Sequence, residues 1–350
     1  MEHEINDVRT EKDLRIVSFS GYKRTDVVKQ LYESLLTSKL EESCYWSAEL
    51  VCGGNYMDLW NTIILCMSKN IHFGNPKLPS YIEMRMNSFK EVMQTGFVGQ
   101  ELRLRNNDKI RTIFCEVMIV LCLSKKKHSV ELIKLNKIET FDLTKMNHRF
   151  KADKTTFANT IFRKEDPKEL FVAINEIMYH LSPCSENISD VCWWIEWVLA
   201  YDQVCVNNKT KCLCDRREYS NVPSVNQKEI IWMLWEGILF TSGSKSTFVK
   251  KMIDSLFQLF TLRYTPGLVR KRRHILYFAV SILFEHIDSK IPLICDNSLI
   301  GSVMSKINNI YKQIKKSEQS PKTDYLFTNV KESNLEKSIK KLEIMNNLFN

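Results

Sequence analysis

The stretch Asp108-Lys109-Ile110-Arg111-Thr112-Ile113-Phe114-Cys115-Glu116-Val117-Met118-Ile119-Val120-Leu121-Cys122-Leu123 decides the fold class. Its apolar residues fall on nearly every side of a helical projection, and such a helix belongs at the centre of a helical protein. Glu116 interrupts the apolar run, which is also shorter than the roughly 20 residues of a membrane-spanning helix. The chain around it has only 10 Gly and 8 Pro in 350 residues. It is therefore poor in the residues that build tight sheet turns and Gly-rich nucleotide loops. An all-α protein is expected, and at this length two helical-bundle units are favoured over one large core.

Working outward, residues 1–24 read as a flexible, charged N-terminal segment, and the first unit spans 25–131. Within it Thr25 is placed to cap a helix carrying Val27, Val28, Leu31, Leu35 and Leu36. A second helix carries Leu40, Cys44, Trp46 and Leu50 and stops at Gly53-Gly54. A third runs from Tyr56 to Ser68, before Pro76 and Pro79, and Ser80 caps the next. Residues 132–165, with alternations such as Glu139-Thr140-Phe141-Asp142-Leu143, read as a short irregular or β-containing connection. The second unit, 166–316, opens at Asp166-Pro167 and carries the stripe Leu170, Ile174, Ile177, Met178, Leu181. It continues through Trp193, Trp194 and Trp197, a polar loop at 204–225, and a helix with Trp232 and Trp235. Residues 317–350 read as a linker and an amphipathic helix on Leu335, Ile339, Leu342 and Met345.

Cys44-Tyr45-Trp46 aligns with Cys192-Trp193-Trp194, Leu59-Trp60 with Leu234-Trp235, and Arg111-Thr112-Ile113-Phe114 with Arg273-His274-Ile275-Leu276, all in the same order. The second copy is longer by about the length of the polar loop. The pattern fits a divergent duplication, with coincidence among buried aromatics as the alternative.

Eleven Cys, most inside apolar helical patterns, point to a reducing compartment. Met1-Glu2-His3-Glu4 has no features of a secretion signal, so an intracellular protein is expected. Gly243-Ser244-Lys245-Ser246 lacks the spacing of a phosphate loop and reads as a surface turn. No metalloprotease or serine-hydrolase motif occurs, so no enzyme activity and no cofactor are expected. Glu49, Glu116, Glu176 and Glu196 are the carboxylates a divergent enzyme would use, with pairing to Arg as the structural alternative. Cys205, Cys212 and Cys214, with Cys184 or Cys192, are the one candidate zinc set, but Cys-x6-Cys-x-Cys is irregular spacing. Free thiols that oxidise locally in air are the preferred reading. Trp46, Trp60, Trp194 and Trp235 fall on apolar helix sides and are expected in the core, with Trp193 and Trp197 exposed.

Charge carries the binding expectation. The formal net charge is +9, and two clusters concentrate it: Lys125-Lys126-Lys127-His128 after the central helix, and Arg270-Lys271-Arg272-Arg273-His274 before its counterpart. Arg103, Arg105, Lys109 and Arg111 form a third group, and Lys312, Lys315 and Lys316 a fourth. Such clusters suit a phosphate backbone without base preference. A solvated helix face is the plainer alternative.

Ser20-Gly21-Tyr22-Lys23, Cys44-Tyr45-Trp46-Ser47-Ala48-Glu49-Leu50, Leu59-Trp60 and Ser68-Lys69-Asn70-Ile71-His72-Phe73-Gly74-Asn75-Pro76-Lys77-Leu78-Pro79 resemble an uncharacterised protein family of giant nucleocytoplasmic DNA viruses. The resemblance implies a viral protein acting in the infected cell, in cytoplasm or virus factory, or packaged in the virion. Tyr45-Trp46 followed by Ser68-x-x-Ile71-x-x-x-Asn75-Pro76 is also similar, over about 35 residues, to the helical collar region of AAA+ clamp-loader relatives. That resemblance implies oligomerisation. Lys69 and Asn70 replace the acidic residues usual there, and no ATPase domain precedes the segment. The expected function is a non-enzymatic scaffold or accessory protein of DNA replication or genome handling. It would self-associate, contact replication or virion proteins, and touch nucleic acid through Arg270, Lys271, Arg272, Arg273, Lys125, Lys126 and Lys127. The alternative is a virion-structural or protein–protein interaction module without nucleic-acid binding; neither involves a membrane.

Overall fold

Twelve α-helices lie among the residues described by the computed structural model, which are 3–133, 135, 141, 145–288, 290–294 and 298–319. They are α1 (Arg24–Leu36), α2 (Leu40–Cys52), α3 (Tyr56–Leu65), α4 (Leu78–Gln94), α5 (Asp108–Leu123), α6 (Phe171–Leu181), α7 (Ile188–Asn207), α8 (Ile231–Ser242), α9 (Thr247–Phe260), α10 (Arg273–Phe284), α11 (Ser298–Met304) and α12 (Ile307–Lys315). No strand occurs among the described residues, and the fold is all-α.

Helix ends follow local chemistry, at positions that partly differ from expectation. Asn107, Asn187 and Ser246 accept from the amides of Ile110, Asp190 and Val249 and so cap α5, α7 and α9. Thr25 does not cap α1, which begins at Arg24, and α4 begins at Leu78 with Pro79 in its first turn, ahead of Ser80. Gly54, at φ 70°, reverses the chain after α2, and the Asn55 amide reaches the Leu50 carbonyl. The third helix does not continue regularly to Ser68. After Leu65 it widens into a π-turn over Cys66–Ile71, and His72 takes φ 46°.

Eleven of the 16 residues of α5 are buried, which places it at the centre of the first half against α1, α2 and α4. In the second half α10 has the matching position, packed on α7, α8 and α9. The pairs α1–α2, α2–α5 and α4–α5 thus have counterparts in the same order in α6–α7, α7–α10 and α9–α10. The halves also meet directly: α4 packs on α9, and α10 packs on the 66–71 turn. One apolar cluster runs from Leu31 and Val117 through Ile174 and Trp194 to Phe278.

Residues 3–23, expected as a flexible segment, are mostly exposed but send a few side chains into the core. Ile5, Leu14 and Phe19 are buried, and Ser18 and Ser20 donate to the buried Glu49 carboxylate. The described part of 132–165 contains short 3₁₀ turns at Asn147–Arg149 and Phe157–Thr160 and no strand. Most of the alternating Glu139–Leu143 stretch, and the amphipathic segment carrying Leu335 to Met345, lie outside the described residues. The polar loop begins later than expected, because α7 continues to Asn207.

Arg217 holds that loop down from inside. Its guanidinium ion-pairs with Asp166, bonds Glu236 at 2.8 Å, and reaches the Ile161 and Asp215 carbonyls. At the junction of the halves, Asn75 donates to Ser124 Oγ and the Leu293 carbonyl, both at 2.9 Å. A Cβ on Gly74 would stand 1.8 Å from the Lys125 carbonyl oxygen. Gly74→Ala is therefore expected to destabilise the protein by about 2 kcal/mol or more. The check is a urea midpoint that falls while the slope of the transition stays constant.

Candidate nucleic-acid interface

The two basic clusters are remote in sequence and close in space. After α5 ends, the Lys127 amide bonds the Asn70 carbonyl and the Ser129 amide bonds the Lys69 carbonyl, each at 2.8 Å. This lays residues 125–129 along the π-turn. Ser129 Oγ shares a 3.2 Å hydrogen bond with His274 Nδ1, at the start of α10. The stretch Arg270–Arg273 leads into that same helix end. Lys69, Lys125, Lys127, Arg270 and Lys271 are all exposed, and none forms an ion pair among the described residues. Lys127 sits over the Phe73 ring, 5.3 Å from its centroid.

Not every cation expected at this face is available. Arg272 is only 4% exposed, and its guanidinium donates to the Phe260 and Leu262 carbonyls at 2.7 Å and to Asn61 Oδ1 at 3.0 Å. It terminates α9 from within, because the last carbonyls of a helix need donors. Arg273 is turned toward the Glu196 carboxylate, 3.1 Å away. Lys126 folds back on the carbonyls of Leu121 and Ser124 and serves the C-terminus of α5. In their place the fold recruits Lys69. Lys69 was missed because it is a single residue in sequence, and only the 125–129 pairing brings it to the lysines.

In the other basic groups Arg105 and Arg111 are internal, while Arg103, Lys109, Lys312 and Lys316 are exposed away from this face. Arg111 donates to the Arg105 and His3 carbonyls and lies over Tyr311, and Arg105 donates to the Asp7 carbonyl. Lys315 lies 4.0 Å from Glu318.

Two imidazoles sit beneath the face. His72 is 4% exposed, stacks 4.4 Å from Phe278, and has no hydrogen-bond partner on either ring nitrogen. Burial first, and then Lys127 and His274, push its pKa from 6.5 to about 4. His274 is also lowered to about 4, by burial and then by Lys69 and Arg273.

The zinc set is not assembled. Cys214 is buried with its thiol on the Lys228 and Glu229 carbonyls, away from Cys205 and Cys212. Among the described residues no group of three His, Cys, Asp or Glu side chains is placed to hold a metal. The four carboxylates lie apart. Glu116 meets Tyr81 and Arg85, Glu196 meets Tyr277 and Arg273, Glu49 accepts from serines, and Glu176 accepts from the Lys151 and Ala152 amides. Gly243 ends α8 and Ser246 caps α9, so the Gly243–Ser246 stretch is a turn between helices. Trp60, Trp194, Trp232, Trp235 and, against expectation, Trp197 are buried. Trp193 and Trp46 are half-buried, Trp193 under the Arg149 guanidinium and Trp46 against Tyr22.

A cleft of about 570 Å³ opens between α3, α4 and the end of α9, floored by Trp60, Phe89, Met86 and Met93. It contains none of the four carboxylates. No described helix is long and apolar enough to cross a membrane. No family model, no curated protein and no solved structure matches the chain.

Two outcomes are expected. Arg272→Ala should lose about 2 kcal/mol of stability by stranding buried carbonyls, with nucleic-acid affinity unchanged under native conditions. A histidine with a depressed pKa makes folding stability fall as pH drops, because the unfolded state binds the proton first. His72 and His274 therefore contribute a loss of stability between about pH 6.5 and 4. Proton NMR of the imidazole rings checks this: a His72 ring that titrates near 6.5 would show it solvated.

Proposed function

We propose that this protein is a non-enzymatic scaffold that holds nucleic acid by its phosphate backbone, on the face formed by Lys69, Lys125, Lys127, Arg270 and Lys271. The observation that supports the reading is the convergence of these five exposed cations, from three separate segments, with no ion-paired carboxylate among the described residues. Unpaired cations on a fixed backbone attract phosphates and release their counterions, and read no bases. The buried tryptophans leave little aromatic surface on which bases could stack. The resemblance to a giant-virus family, clearest in the first 80 residues, suggests the setting of an infected cell; genome handling is inferred from the cationic face. The collar-like stretch adds self-association through the first half.

A second reading is favoured by one observation, the cleft between α3, α4 and α9. Its methionines suit a partner's apolar side chain, so the protein would work as an interaction module and the cations would meet acidic protein.

Fluorescence anisotropy of labelled duplex and single-stranded DNA across a salt series, with light scattering on the same sample, separates the two. Duplex binding should weaken steeply with salt. The triple variant Lys69→Glu, Lys125→Glu, Lys127→Glu should lower the log–log salt slope by about 3 and the affinity at least about tenfold. An unchanged slope would remove this face from the contact, and absence of binding at low salt with a stable oligomer would favour the interaction module.

A further inference from the structure

Two half-exposed cysteines at the end of α7, Cys205 and Cys212, are brought into one pocket by the way that helix stops. Lys209, at φ 58°, takes the left-handed conformation; its amide bonds the Val206 carbonyl, and the Thr210 amide bonds the Cys205 carbonyl at 2.9 Å. This is the pair of reversed hydrogen bonds that closes many helices, here with Lys in place of the usual Gly. Thr210 Oγ1 adds a second bond to the Cys205 carbonyl at 3.0 Å. The chain is thereby turned back so that Cys212 lines the same shallow pocket as Cys205, with Pro167, Glu169, Tyr201 and Lys211.

We infer that Cys205 and Cys212 form a dithiol site that exchanges with low-molecular-weight disulfides and closes into an intramolecular disulfide. The other described cysteines cannot take this part. Cys44 and Cys115 approach to 3.8 Å but are buried between helices, Cys214 is buried on two carbonyls, and Cys184 is exposed without a neighbouring thiol. The chemistry runs in two exchanges. One thiolate of the pair attacks a sulfur of the small disulfide, forms a mixed disulfide and expels a thiolate. The second cysteine gives its proton to solvent and attacks the protein sulfur of that mixed disulfide, expelling the other small thiol. Two protein thiols are oxidised, and one small disulfide is reduced to two thiols. The turn that closes α7 and the shared pocket favour the second step over escape of the mixed disulfide, because both cysteines line one small recess.

The surroundings set the rate. Burial, then Cys205, Asp202 and Glu169, push the Cys212 thiol up to about 12, and Tyr201 stands beside the pair with its own pKa raised to about 12. Cys212 is therefore mostly protonated at neutral pH, and its step in the exchange accelerates as pH rises. The product ties the first turn of the 208–230 loop, the loop that Arg217 anchors, to the end of α7.

The test uses the full chain under native conditions with oxidised glutathione as the probe, quenched by acid and N-ethylmaleimide, then digested with trypsin. Cleavage after Lys209 and Lys211 separates the two cysteines, so the expected product is a disulfide-linked pair of peptides, lighter by two hydrogen masses than the free pair. Reducing agent should reverse it, and Cys44 and Cys115 should stay reduced. Cys205→Ser should leave a persistent glutathione adduct on Cys212 while the buried Cys44 and Cys115 stay reduced, the latter showing that this variant folds. Stable adducts on both cysteines of the native chain, a Cys212–Cys214 link, or no reaction after hours at pH 8 would each overturn the assignment.

Discussion

At Gly74 the backbone of the first half comes against the carbonyl of Lys125 with no room for a side chain, and the two halves are joined around that approach. Asn75, next in sequence, holds Ser124 at the end of α5 and the Leu293 carbonyl beyond α10. His72 and Phe73, just before it, pack on Phe278 of α10. Four consecutive residues thus touch the central helix of each half or the segment that leaves it. The π-turn and the positive φ of His72 are the means of getting there, since a regular continuation of α3 would carry these residues past the junction.

Charge is distributed by the same logic of burial and satisfaction. Arg111, Arg217 and Arg272 are nearly inaccessible, and each donates chiefly to carbonyls or carboxylates that would otherwise be buried without a partner. An arginine suits this work because its planar fork reaches several acceptors at once. The carboxylates Glu49 and Glu176 answer from the other side by accepting from loops that precede α1 and α6, so the entry to each half is pinned by a buried acid. A net charge of +9 therefore overstates how uniformly cations cover the surface. Exposed cations are spread along the chain, and five of them come together where two of the sequence clusters meet.

The helices were legible in the sequence wherever an apolar stripe and a turn residue agreed. The central position of 108–123, the stop at Gly53-Gly54 and the burial of Trp60, Trp194 and Trp235 all followed from periodicity alone. What escaped depends on three-dimensional neighbours. Thr25 and Ser80 look like caps in one dimension, but Pro79 already fits the first turn of α4 and no side chain caps α1. Residues 3–23 look solvated because they are charged, yet Ile5, Leu14 and Phe19 are enough to fix them once Glu49 is present to bond Ser18 and Ser20. Arg272 looks like part of a basic run, and nothing in its neighbours announces that the end of α9 lies within reach. The candidate face was legible as two clusters and illegible as one.

That joining bears on how selective the face is. Its cations stand on backbone fixed by the pairing of 125–129 with 69–70 and by the Ser129–His274 contact, so their spacing is set by the junction and not by flexible loops. The side chains themselves are long and, apart from Lys127 on Phe73, unheld. A rigid base with mobile charged tips recognises charge density over some 10 Å, about one screening length at physiological salt, and not the shape of a base edge. Beneath it, burial first and then neighbouring cations, Lys127 for His72 and Lys69 and Arg273 for His274, keep both imidazoles uncharged, which keeps two further positive charges out of an already cationic interface. The core therefore limits the charge of the face from below, and the tight approach at Gly74 holds the segments that carry it together.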